Sequence, residues 1–507
     1  MAQELKSINL VAPGFKGINT EDSPLSQDPS FAEIADNAVV DNRGRVAARK
    51  GLLVTTTDKT ELGSEKIRAI KEYRDSAGNT KVFSVGNNKI LSGTTTLADE
   101  TPGSYTITAD NWKMVNFNDN IYFFQRGYEP LVYNNTSGSV VKLSTVSDAA
   151  GVSSAMYGNE VLAAYGRLWT ADFSNDKSTV YWSDLLIGHD WSGGTSGSIN
   201  ISKVWPDGYD EIVALAAHNN MLIIFGKHSI VVYGGADAPA TMALQDTVSG
   251  VGCVDRDTVQ YTGVDVIFLS YTGLKSFGRT IQEKSLPMNN LSSTITKDII
   301  SLLSEESDFF RSVYHPEENF YLLSFVGQNI TYCFDIRGTL ENGAYRATRW
   351  PSTGFTCYER QDNGTLLIGS SQGIGTYEGY EDNGLAYRFK YFSPELTFGD
   401  PSKLKFLKKI RPTIIGASGL DVLFKWDYDF GSSYNSEVLP IVDFASAEFG
   451  VGEFNIGQFS TGIAVSREAI NTNGSGGTVT IGLEADIDGG ELSLQEINVL
   501  ALVGKTL

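Results

Sequence analysis

EIVALAAHNNMLIIFGKHSIVVYGG, residues 211–235, is the stretch whose reading decides the fold. Three apolar runs, IVALAA, MLIIFG and SIVVYGG, are separated only by His218-Asn219-Asn220 and Gly226-Lys227-His228. Each run is short and the later two are rich in β-branched residues, which argues strand rather than helix. Asn and Gly accept the left-handed backbone that a tight hairpin demands, so both breaks read as hairpin turns. Runs that are apolar at nearly every position describe strands buried on both faces. A meander of this kind cannot bury two faces alone, so copies of it are expected along the chain.

Such copies are present, at intervals of roughly 40–55 residues, close to the length of a propeller blade. The first is RAIKEYRDSAGNTKVFSVGNNKILSG, from Arg68 to Gly93, with Gly78-Asn79 and Asn87-Asn88 as its turns. WKMVNFNDNIYFFQRGYEPLVYNN follows from Trp112. The third unit is looser, with AAYGRLWTAD around Trp169, STVYWSD to Asp184, and a Gly/Ser-rich excursion. The quoted stretch is the fourth. DTVQYTGVDVIFLSYTGLKSFG, Asp257 to Gly278, is the fifth; SVYHPEENFYLLSFVGQNITYCFD, Ser312 to Asp335, the sixth; and TCYERQDNGTLLIGSSQGIGTYEG, Thr356 to Gly379, the seventh. The expectation is a mainly β chain with a β-propeller of about seven blades over residues 61–385.

Outside the repeats the pattern changes. Between the fifth and sixth, TITKDIISLLSEESDFF places Ile299, Ile300, Leu302 and Leu303 on one side of a short amphipathic helix ending near Ser304. Residues 1–60 read as an extended arm with a short helix in DPSFAEIADNA, Asp28 its N-cap and Pro29 its first residue. Residues 386–507 carry longer alternating segments, among them KLKFLKKIR, DVLFKWDYDF and TVTIGLEADI, which suggest a C-terminal β-sandwich or platform domain. NTNGSGGT, Asn471 to Thr478, reads as a hairpin tip.

The chain of 507 residues carries 40 Lys+Arg against 60 Asp+Glu, a net charge of −20. The propeller segment holds 23 basic and 37 acidic residues, −14 of that total. Such a balance argues against binding nucleic acid through its phosphates, which needs a clustered cationic footprint, and suits a surface that DNA passes without adhering. No apolar run reaches the length of a membrane-spanning helix, and the amino terminus lacks a signal-peptide pattern. Cys253, Cys333 and Cys357 are widely spaced and read as buried free thiols.

Catalytic patterns are missing from the sequence. His189, His218, His228 and His315 sit at no metal-ligand spacing, and neither a G-x-S-x-G elbow nor a phosphate-binding G-x-x-x-x-G-K-[ST] loop occurs. The sequence predicts no enzyme, cofactor or metal. Two basic clusters are candidate partner contacts. Lys403, Lys405, Lys408, Lys409 and Arg411 form either a docking strand for an acidic neighbour or a sheet edge guarded by lysines. Arg43, Arg45, Arg49 and Lys50 lie beside strand-like VAARKGLLV, which could augment a neighbour's sheet. Trp112, Phe123, Phe124, Trp169, Tyr181, Trp182, Phe225, Phe268, Tyr321 and Phe355 recur on the repeats and read as packing between blades rather than a carbohydrate platform.

The segment PGFKGINTEDSPLSQDPSFAEIADNAVVDNRGRVAARKGL, Pro13 to Leu52, resembles the opening of the tail nozzle proteins of short-tailed bacteriophages, also called tail tubular protein B. Gly17, Asn19, Ser23, Pro24, Leu25, Asn37, Arg43, Gly44, Arg49 and Gly51 stand at the places of that pattern, while Lys16 replaces one Gly of its usual pair. The stretch GVGCVDRDTVQYTGVDVIFLSYTGLKSF from Gly250 is also similar to one common in that family. The resemblance implies a structural virion protein that forms a homo-hexamer in the virion tail. It continues the DNA channel below the portal-adaptor ring, meets tail fibres or a tail needle, and holds genomic DNA until ejection. The alternative function is a tail-associated propeller that binds a receptor or glycan, with polysaccharide cleavage as its extreme form.

Overall fold

The computed structural model describes residues 4–12, 14–282, 290–441 and 465–506. Strands dominate, and the repeats become consecutive antiparallel meanders. The fourth repeat sets the plan: Ile212–His218, Met221–Gly226, Ser229–Gly234 and Ala243–Ser249 pair in order. Asn219 and Asn220 take φ of 49° and 59°, the left-handed pair that closes its first hairpin; Asn87 and Asn88 do the same in the first repeat.

Among the described residues six four-stranded blades are built, a correction to the expected count of about seven. They begin at Ala69–Arg74, Lys113–Phe117, Glu160–Ala164, Ile212–His218, Phe310–His315 and Cys357–Arg360. Among the described residues the fifth repeat has three strands, Gln260–Tyr261, Val266–Ser270 and Gly273–Ser276. There Asp265 diverts the chain: its carboxylate accepts from the Ser276 hydroxyl and, at 2.8 Å, from Gly278 N, starting the helix Phe277–Gln282 where a fourth strand would run. The innermost segments touch their neighbours in order, and Cys357–Arg360 packs on Ala69–Arg74 to close the ring.

The ring's closure is supplied from the amino-terminal arm. Leu52–Val54 is the outermost strand on Gly373–Tyr377, in the register Gly375↔Val54, Thr376↔Leu53 and Tyr377↔Leu52. Ile34–Asp36 lies between the sixth repeat and Tyr387–Phe392, parallel to Arg346–Pro351 and antiparallel to the other. It joins that blade and the C-terminal strands Val479–Ile487, Asp421–Tyr428 and Asn435–Pro440 into one nine-stranded sheet. Glu4–Leu10 pairs along Leu492–Thr506, in an eight-stranded sheet with Lys403–Gly416. The buried faces of both large sheets contribute to one apolar cluster, which includes Leu10, Phe15, Leu407, Phe424, Trp426, Leu483 and Val499.

Several local expectations are corrected. DPSFAEIADNA forms no helix: Asp28 accepts from Ser30 N at 2.9 Å in a turn, and Ile34–Asp36 is drawn into the nine-stranded sheet. Lys403–Gly416 is no sheet edge, because Leu492–Thr506 flanks one side and Val465–Ser466, Ile470–Asn471 and Ser475–Gly476 the other. NTNGSGGT therefore runs along that strand rather than forming a free hairpin tip. The helix between the fifth and sixth repeats spans Thr296–Glu305 and buries Ile299, but Ile300 is exposed. The three cysteines are buried and free, and burial pushes the Cys253 and Cys357 thiols up to about 12.

Candidate functional site

Aligning the innermost segments reveals a register that the repeats conceal. Lys71, Lys113, Glu160, Arg311 and Glu359 each sit on the first strand of a blade, and Arg256 just precedes the first strand of the fifth repeat. The ring brings them together on its axis, where Lys71, Lys113, Arg256, Arg311, Asp257 and Glu359 line a cavity of about 220 Å³.

Hydrogen bonds cross the ring at one end of that cavity. Arg256, from the fifth repeat, donates from Nη2 to Asn111 O (2.6 Å) at the entry to the second, and from Nη1 to Asn159 Oδ1 (3.1 Å) at the entry to the third. Arg311, from the sixth, donates from Nη2 to Asn111 Oδ1 (3.1 Å) and to Arg68 O (3.0 Å) at the entry to the first. Arg311 Nη1 also reaches Asp257 Oδ2 at 2.8 Å. Both guanidiniums are buried. Repeats on opposite sides of the ring are thereby tied across the axis.

Two further ion pairs complete the belt. Lys113 Nζ donates to both oxygens of Glu160, at 2.6 and 2.7 Å, and Leu215 N donates to Oε1 at 3.3 Å. Lys71 Nζ meets Glu359 Oε1 at 2.7 Å. Burial outweighs these partners. It pushes the Glu160 carboxyl up to about 7, against the pull of Lys113 and Arg256, and raises Glu359 despite Lys71. Asp255 is raised by burial and by the adjacent Asp257 charge, while Asp257, between Arg256 and Arg311, is held low. The arrangement sets buried carboxylates beside buried cations, and it offers cations to an anion.

The sequence-predicted contacts are dispersed. Arg49 is buried inside this chain: it forks onto Asp382 at 2.9 and 2.6 Å, donates to Asn37 Oδ1 at 2.9 Å, and stacks 4.2 Å from the Tyr387 ring centroid. Arg45 pairs with Asp41 at 2.6 Å and Lys50 with Glu318. Lys405 is buried with its ammonium on the carbonyls of Asp400 and Gly477, and Lys403 pairs with Asp400 at 3.3 Å. Arg43, Lys408 and Arg411 are exposed and Lys409 half-buried. Arg49 and Lys405 are thus unavailable to a partner, and VAARKGLLV pairs within its own chain rather than waiting for a neighbour's sheet. The aromatics do pack between blades, as in Phe83 against Phe123 and Phe225 against Phe268. Among the described residues no group of His, Cys, Asp and Glu could hold a metal ion, and no helix is long and apolar enough to cross a membrane.

The axial residues went unnoticed in the sequence because each was read within its own repeat. Charged side chains on the first strands of successive repeats were the available signal, as in RAIKEY, NWKMVNF, FFRSVY and CYER.

No family model matches the chain, and no curated protein matches it. Among solved structures it is similar to the extracellular domain of a putative hybrid two component system from B. thetaiotaomicron, with 10% identity and a TM-score of 0.42 over 79% of this chain and 56% of that one. It is similar to PorZ, a surface component of the type-IX secretion system of Porphyromonas gingivalis, with 15% identity and a TM-score of 0.36 over 66% of this chain and 42% of that one. The WD40 β-propeller domain of Doa1 matches at 13% identity and a TM-score of 0.37, over 64% of this chain and 96% of that one. Matches at these scores say nothing about what the chain does.

Proposed function

We propose that this chain is a structural subunit of a short phage tail, a nozzle whose copies form a six-membered ring around the path of the genome. The observation that carries the reading is where the residues of the resemblance fall. Gly17 has a φ of 90°, and a Cβ there would lie 2.6 Å from Ala347 N; at Gly51 a Cβ would lie 1.8 Å from Glu381 O. Asn37 takes a φ of 53° and binds Arg49, which holds Asp382. Gly17, Gly51, Asn37 and Arg49 of the motif are thus residues by which the arm packs against the blades and the segment that follows them, and this supports reading the motif as a structural one.

The arginines that cross the axis support the same reading from another side. A conduit for DNA cannot run through one propeller that is crossed by Arg256 and Arg311, so it has to lie between copies. The C-terminal sheets then serve as the platform of each copy, and the excess of carboxylates keeps the DNA path free of adhesion. The portal-adaptor ring and the tail fibres or needle are its neighbours in this arrangement, and its chemistry is mechanical.

Electron cryo-microscopy of native particles containing the chain, reconstructed without imposed symmetry, tests the reading. Six copies in a ring on the tail axis are expected. Off-axis trimers or isolated propellers would overturn it and turn attention to receptor or glycan binding.

A further inference from the structure

We propose that the axial cavity is a binding site for a small divalent oxyanion, with the chemistry of sulfate or phosphate, held by Lys71, Lys113 and Arg256, while Arg311, whose N–H groups are all bonded within the chain, adds its charge. The inference is independent of the nozzle reading. Four cations and two carboxylates, Asp257 and Glu359, line this cavity in a chain whose net charge is −20. At about 220 Å³ it is several times the ~30 Å³ share of one water molecule, room enough for an oxyanion with part of its hydration.

Donor accounting points the same way. An ammonium carries three protons. Lys71 places one on Glu359, and Lys113 places two on Glu160. Between them the two lysines keep three for a ligand. The guanidiniums below are fixed by Asn111, Asn159 and Arg68 O, so their charge is pre-oriented and costs little further ordering on binding. The opposing charge is adjustable. Glu160 stands behind Lys113 with its carboxyl pushed up to about 7, and Asp255 behind Asp257 is raised too. As pH falls these groups take up protons while the cations remain, so the cavity grows more positive. The other charged groups around the belt are Arg68 with Asp308, paired at 2.6 Å, and Glu72 beside Glu359. An oxyanion here would bridge the first, second, fifth and sixth repeats and bind the ring more tightly together.

The experiment is calorimetric titration of the full chain with sodium sulfate, against sodium chloride at matched ionic strength. Saturable binding is expected, tightening about threefold from pH 8 to pH 6, a range in which sulfate itself does not titrate. Lys71→Met is expected to weaken it roughly tenfold, the loss of one charge-assisted contact. Should that variant fail to fold, Gln260→Glu adds a carboxylate to the cavity wall without removing an ion pair and is expected to weaken binding as well. A selenate soak of crystals should place anomalous density between Lys71, Lys113 and the two guanidiniums. Sulfate heats indistinguishable from chloride, or selenate found elsewhere, would overturn the proposal. Acetate binding as tightly as sulfate would overturn the divalent assignment and indicate a single carboxylate, such as one borne on a partner's side chain.

Discussion

The chain buries guanidinium groups in two regions, and the two are built differently. In the arm, Arg49 is 1% exposed, forked onto one carboxylate and enclosed by Tyr387, Trp350 and Phe355. On the axis, Arg256 and Arg311 share Asp257 and Asn111, and a cavity opens beside them. The first arrangement has one set of partners and no room; it can only hold strands in register. The second has partners from five repeats, carboxylates whose protonation is displaced toward neutrality, and space. A buried arginine marks a fastener where its partners fill the surroundings, and a candidate site where they do not.

The comparison can be broken most sharply at the arm. Arg49→Ala leaves Asp382 and Asn37 without their cation and should destabilise the fold by about 3–5 kcal/mol, read as a lowered urea midpoint. Retention of wild-type stability would show that the arm is not a fastener. Gly51→Ala should cost about 2 kcal/mol in the same assay, because the added methyl meets Glu381 O in the backbone and one of the two backbone segments has to move.

On the axis the expected signature is pH dependence. The folded-state pKa of Glu160, about 7, lies above its ordinary value of 4.5, so the folded chain binds the extra proton. Stability from this group is full below about pH 4.5, declines as pH rises toward 7, and is level above; the decline is at most about 3 kcal/mol. Glu160→Gln should flatten that part of the stability profile in urea titrations at successive pH values, whereas Arg49→Ala should lower the whole profile without changing this slope. An unchanged slope in Glu160→Gln would remove the axial cluster's distinction. The smallest effect is expected at the surface: Arg43→Ala and Lys408→Ala should shift stability by no more than about 0.5 kcal/mol. Larger shifts would mean that these exposed cations, too, belong to the fold.

The strand pattern was legible because it is local. Apolar runs of blade length and Asn pairs at the hairpins state their structure within a few residues, and Asn87-Asn88 and Asn219-Asn220 adopt the backbone their chemistry favours. The arm was misread for the converse reason. Asp28 and Pro29 carry a helix-start signal, yet the same carboxylate closes a turn equally well, and Ile34–Asp36 takes its conformation from partners more than 300 residues away. Lys405 shows the same limit: a lysine among lysines reads as surface until the carbonyls of Asp400 and Gly477 arrive. The axial cluster needed the repeats to be superposed, since no member is unusual in its own strand.

The pairing of Glu4–Leu10 with Leu492–Thr506 also sets a timetable. Asn9 and Asn498, hydrogen-bonded through their side chains, are 489 positions apart. At a usual pace of translation, roughly 5–20 residues per second, the first strand waits on the order of 25–100 s for its partner to be synthesised. Leu52–Val54 likewise waits for Gly373–Tyr377, a shorter delay but still one of more than 300 positions. The nascent chain therefore carries unsatisfied strand edges at its leading end for most of its translation, and its yield in the cell should depend on holdase chaperones more than its finished stability would suggest.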